Sequence, residues 1–172
     1  MKNIEQDIRK LVNVNKVFRA VKDQSWFALY SKDSENNLLI TRNFILNLTS
    51  EQFWKIQCKL EAKRIGVWFF MSKEGLVEDE PVNDLEVNSY FRLVNRSDLE
   101  IIEHTDLSLG GLKLYEAEGQ YVGVRSSYVD MLNGLVDLYQ ADVDSPLVAA
   151  GVHMIVPTRE IESNYLASLM LK

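Results

Sequence analysis

Apolar residues at Ile4, Ile8, Leu11, Val14, Phe18 and Val21 recur at steps of three and four, with Arg9, Lys10, Lys16, Arg19 and Lys22 between them. That spacing predicts an amphipathic helix over residues 4–22, weakened by the β-branched Val12, Val14 and Val17. Residues 25–30 read as a strand, residues 32–37 as a polar turn and residues 38–41 as the returning strand. At Thr49-Ser50-Glu51-Gln52 the pattern of a capping box opens a second helix, predicted to run to about residue 64 with Phe53, Ile56 and Leu60 inward. The strongly apolar run 65–71 then predicts a central strand.

Residues 77–88 carry Glu78, Asp79, Glu80, Asp84 and Glu86 together with Pro81, which reads as an exposed connection. Strands are expected at 90–94, 99–103 and 112–117, with a tight turn at Glu118-Gly119 into a strand over 120–125. Ser126 or Ser127 caps a predicted third helix in which Val129, Leu132, Leu135, Val136 and Tyr139 recur at helical spacing. Two late strands, 147–150 and 152–156, precede a terminal segment with Ile161, Tyr165, Leu166, Leu169 and Met170 at helical steps. No Gly/Ser/Pro-rich linker divides the 172 residues. The expectation is one α+β domain: a mainly antiparallel sheet carrying two principal helices. Two stretches, about 25–76 and 90–158, share a pattern of strands, helix and strands, and so suggest an internal repeat.

Composition narrows the function classes. Hydrophobic residues at 47% and charged residues at 26% are ordinary globular usage. With one cysteine, Cys58, and two histidines, His104 and His153, neither a disulfide framework nor a thiolate zinc site is available. No metal and no cofactor is expected. The N-terminal residues lack the apolar run of a signal peptide and no segment approaches the ~20 apolar residues of a membrane span, so the expected location is the cytoplasm, away from membrane. A net charge of −6 argues against broad attraction to nucleic acid but leaves room for a local basic face.

Lys55, Lys59 and Lys63 stand at i, i+4 and i+8 of the second predicted helix, forming one basic stripe suited to phosphate contacts or a protein partner. An ordinary solvated helix face gives the same pattern, and Glu51 to Lys55 is a common helical pair. Lys73 and the basic residues of the first helix would extend the patch if they shared its face. Trp54, beside Lys55, is the tryptophan placed to stack on a base, whereas Trp26 and Trp68 sit in strand runs and read as core. Glu78, Asp79 and Glu80 could form an acidic partner-binding loop that imitates phosphate charge, by analogy with small acidic proteins carried by phages. A solvated loop is the plainer reading. Glu100 and Glu103 lie on opposite sides of a strand and do not converge as an acid-base pair. Gly110-Gly111 lacks the surroundings of a phosphate-cradling loop, Cys58 reads as buried and inert, and no catalytic residue is assigned.

The run Tyr121-Val122-Gly123-Val124-Arg125-Ser126-Ser127-Tyr128-Val129-Asp130-Met131-Leu132, with Ser145-Pro146-Leu147 and the stretch from Val152 to Arg159, resembles the last strand-helix-strand unit of bacterial DNA sliding clamps. The resemblance covers residues 121–159. It implies a domain of two related units whose helices present cations to the DNA backbone without reading sequence, and a ring closed by several copies of the chain. The second helix departs from that pattern, because residues 126–139 contain no Lys or Arg and do contain Asp130 and Asp137. The expectation is a non-enzymatic binding or regulatory protein, of phage or mobile-element type, acting on DNA or on a nucleic-acid-processing protein. Its alternatives are an acidic inhibitor of such a protein and an enzyme whose carboxylates meet only in the fold.

Overall fold

The computed structural model describes residues 8–133, 137–142, 144–157 and 159–161. A 3-10 turn at Ile8–Leu11 leads to α1 (Val14–Lys22), capped by Asn13, whose side chain accepts the Lys16 N–H. Asn13 holds an extended backbone, so the predicted helix over 4–22 is interrupted there, and its first residues lie outside the described ones. β1 (Trp26–Ser31), β2 (Asn37–Thr41) and β3 (Phe44–Leu48) follow as an antiparallel meander.

Next come α2 (Ser50–Leu60), the hairpin β4 (Val67–Ser72) and β5 (Gly75–Pro81), and α3 (Asp84–Val94). The second meander is β6 (Glu100–Leu109), β7 (Leu112–Ala117) and β8 (Gln120–Arg125). It runs straight into α4 (Ser126–Asp130), followed by β9 (Leu138–Gln140), β10 (Leu147–Ala149), β11 (His153–Ile155) and β12 (Arg159–Ile161).

The fold is α+β, and every strand pairing is antiparallel. The strands form one sheet in the order β12-β8-β7-β6-β9-β10-β11-β3-β2-β1-β4-β5. Within it, β3-β2-β1-β4-β5 and β8-β7-β6-β9-β10 follow one and the same order, each with a helix inserted after its third strand in sequence. β6 bends between two partners: Glu100 to Ile102 pair with β9, while Glu103 onward pairs with β7.

Strand alternation assigns the two faces. Phe27, Leu29, Leu39, Phe44, Leu46 and Phe69 point into the main core with Val17, Ala20 and Val21 of α1, Phe53, Ile56 and Leu60 of α2, and Tyr128 and Val129 of α4. Ala28, Leu38, Ile40 and Ile45 point the other way, against Val87 and Tyr90 of α3. Full burial of a Leu, Ile or Phe stabilises by about 1.5–3 kcal/mol, so these two faces set the register of each strand firmly.

Three more predicted elements differ, and the terminal segment predicted with Tyr165, Leu166, Leu169 and Met170 at helical steps lies outside the described residues. Residues 84–94 form a helix, where a connection and a strand over 90–94 were expected. Asn83 caps it, and Val87, Tyr90, Phe91 and Val94 give it an apolar stripe. The helix predicted after Ser126 stops at Asp130. Asn133 takes a positive φ of 33°, and the chain becomes strand again at Leu138. Residues 77–81, expected in an exposed connection, are strand β5.

Candidate nucleic-acid interface

α1 lies beside α2 on the main-core face of the sheet, so the cations of both helices share one outer surface. The capping box that starts α2 is formed: Thr49 Oγ1 accepts the Gln52 N–H at 3.3 Å and Gln52 Oε1 accepts the Thr49 N–H at 3.0 Å. Gln52 Nε2 also donates to the Arg9 and Val12 carbonyls, tying the 3-10 turn to this helix end. With Phe53, Ile56 and Leu60 buried, the helix turns Trp54, Lys55, Cys58 and Lys59 to solvent. On α1, burial of Val17, Ala20 and Val21 leaves Lys16, Arg19 and Lys22 exposed.

The two helices meet at Phe18. Its half-buried ring has Lys22 Nζ 4.5 Å and Lys59 Nζ 5.4 Å from the centroid, both within cation–π reach. Neither ammonium has a carboxylate partner among the described residues. Beside them a groove of about 350 Å³ opens between α1, the end of α2 and the β4–β5 hairpin. Phe18, Leu60, Met71 and Leu76 line it as apolar wall, and Lys22, Lys59 and Glu61 as charged wall. Lys73 is exposed at the hairpin turn, between the groove-lining Ser72 and Gly75.

The predicted site residues fare differently. Trp54 is 63% exposed on the outer face of α2. Lys55 pairs with Glu51 at 2.5 Å, while Lys59 has no acid partner among the described residues. Lys63 is exposed but no longer on the helix. α2 ends in a Schellman turn, with Glu61 left-handed at φ 56°, its N–H on the Cys58 carbonyl and the Ala62 N–H on the Gln57 carbonyl. The three-lysine stripe is therefore a two-lysine stripe joined by Lys22 of α1. Phe18, a core position by its helical spacing, is half-buried and central to the site; only the packing of α1 on α2 reveals that.

Glu78, Asp79 and Glu80 are exposed on β5, the edge strand of the sheet, and are a strand where a loop was expected. The pairing of β5 with β4 shifts register between Val67 and Phe69, opposite these acids, and Pro81 closes the strand. Bulge, charge and proline together keep a free edge from pairing with another chain. Arg64 holds Glu78 at 3.1 Å.

Trp26 packs on Phe70 with centroids 4.9 Å apart, and both Trp26 and Trp68 are half-buried. Cys58, expected to be buried, is exposed on α2. His104 sits edge-on to Tyr115. His153 is buried, its Nδ1 accepting the Asn47 N–H at 3.2 Å, and burial, aided by the charge of Arg9, lowers its pKa to about 4. Tyr90 donates to the Val152 carbonyl, and burial pushes its phenol up to about 12. A small cavity of about 70 Å³ touches Glu100, Glu118 and Asp142, yet no group of His, Cys, Asp and Glu among the described residues is arranged to hold a metal. No helix among them is long and apolar enough to cross a membrane. In comparisons with known proteins, no family model, curated protein or solved structure matches the chain.

Proposed function

We propose that this is a non-enzymatic binding protein whose α1–α2 surface contacts a nucleic-acid backbone. The observation that carries the reading is the meeting of Lys22 and Lys59, from two different helices, over the ring of Phe18. Two ammonium groups on one ring, without a carboxylate partner among the described residues, leave a local excess of positive charge that a bound phosphate would neutralise. Lys16, Arg19 and Lys55 continue the cationic surface on the same helix layer. Such contacts fix position on a backbone and carry no sequence information.

A clamp-like architecture fits this use, and the strand order shared by β3-β2-β1-β4-β5 and β8-β7-β6-β9-β10 supports a chain of two related units. In this proposal only the first unit works on the nucleic acid. α4 is five residues long, has no cation, and its Asp130 is neutralised by Lys113 at 3.1 Å. The acidic inhibitor reading draws on Glu78, Asp79 and Glu80, but the bulge and Pro81 beside them account for those acids as protection of the sheet edge.

Charge reversal tests the proposal. Wild type is expected to bind DNA at low salt with an affinity that falls linearly on a logarithmic salt axis. The Lys22→Glu/Lys59→Glu variant is expected to bind at least about tenfold more weakly, with a shallower slope by about two phosphate contacts. Equal affinity and slope in the two proteins would remove this surface from the interface.

A further inference from the structure

We propose that the groove beside Phe18 accepts one unstacked base of a single-stranded nucleic acid, with an adjoining phosphate held by Lys22 and Lys59; this rests on the reading of the α1–α2 surface given above. A base offers two apolar faces and a polar edge, next to an anionic backbone. The groove offers the complement: Phe18, Leu60, Met71 and Leu76 as apolar wall, with Lys22 and Lys59 also lining it. Phe18, Met71 and Leu76 are each packed on the main core along one side and half-exposed on the other, so the wall is firmly supported. With Lys22 and Lys59 over the Phe18 ring, a stacking base takes the place of an ammonium on that ring, and the displaced ammonium turns to the adjoining phosphate; aromatic rings with interleaved cations are how single-strand binders hold bases regardless of sequence.

A duplex fits this site poorly. Its bases are stacked and paired, and extruding one costs a few kcal/mol. An extended acidic peptide also fits less well. Extended peptides gain their main-chain bonds by adding to a sheet edge, and the nearest edge, β5, is bulged at Asp79–Glu80 and ends in Pro81. Glu61, on the groove wall, repels a second carboxylate, whereas it can accept a bond from the exocyclic amino group of a base.

The test compares a fluorescein-labelled single-stranded DNA with the duplex of the same sequence, by anisotropy, at one salt concentration. Wild type is expected to prefer the single strand. Phe18→Leu, which keeps an apolar side chain and removes the aromatic face, is expected to weaken single-strand binding about tenfold and duplex binding by clearly less. Leu76→Ala, which removes apolar wall on the β5 side of the groove without changing the charge, is likewise expected to weaken single-strand binding more than duplex binding, so a folding defect in one variant does not decide the matter; thermal melts identify such a defect. Equal binding of both forms, with neither variant affecting either, overturns the groove proposal and leaves the basic surface standing. No binding of either form by wild type overturns both. An Asp/Glu-rich peptide that displaces the single strand at lower concentration than unlabelled single strand does also overturns it, in favour of a protein ligand.

Discussion

His153 sits at 1% exposure where β11 meets β3, the strand pairing that joins the two five-strand runs of the sheet. Its neutral ring accepts the Asn47 N–H, and desolvation, with a smaller contribution from Arg9, holds its pKa at about 4 against 6.5 in the unfolded chain. The sign follows from which state binds the proton. Above pH 6.5 both states are neutral and the residue imposes no pH dependence. Between 6.5 and 4 the unfolded chain is protonated and the folded one is not, so stability falls as pH falls, by about 3 kcal/mol in all. Urea denaturation at pH 7 and pH 4.5 is therefore expected to show a larger loss for wild type than for His153→Gln, which retains an acceptor for Asn47 but does not titrate. Identical losses would mean that the ring is protonated in the folded protein.

Among elements, α2 shows best how local sequence set local structure. Its start was legible because Thr49 and Gln52 satisfy each other's backbone amides, a pairing that needs no tertiary contact. Its end was not legible, because the left-handed residue is Glu61, where a glycine would have marked the stop. Glu61→Gly is expected to stabilise the protein by about 0.5–1 kcal/mol in equilibrium urea unfolding, since glycine adopts a φ of 56° without the side-chain penalty; a loss of stability would show that Glu61 makes a contact that outweighs its strain.

The same contrast separates the remaining elements. The turn at Glu118-Gly119 and the hairpin it closes follow from backbone chemistry alone. The helix predicted after Ser126 was too long because Asn133-Gly134, a strong turn pair, was outweighed by apolar spacing. α3 was hidden by the opposite error, since its acids and Pro81 masked the apolar stripe of Val87, Tyr90, Phe91 and Val94. The candidate site was half-legible. Lys55 and Lys59 follow from helical spacing, but the convergence of Lys59 with Lys22 depends on helix packing across some forty residues of chain, which local patterns do not encode.

For the whole molecule, the balance of charge matters less than its placement. The chain carries −6 overall, yet α1 and α2 gather Lys16, Arg19, Lys22, Lys55 and Lys59 on one layer, while Glu78, Asp79 and Glu80 line the β5 edge. A uniformly spread charge of that sign would repel a polyanion, whereas a gathered basic layer would offer it one cationic face. The β5 edge resists extension of the sheet, so a ring of copies, as the clamp resemblance implies, would not close by simple pairing through β5.

The account stands most directly on where a nucleic acid touches the protein. Adding an unlabelled single-stranded oligonucleotide to the ¹⁵N-labelled chain at low salt and following amide shifts gives that map. The account predicts shifts in α1, in Lys55 to Glu61 and in the β4–β5 turn, with β5 beyond Leu76 and α3 unmoved. Shifts confined to residues 78–80 or α3, or none at all at saturating oligonucleotide, would contradict it.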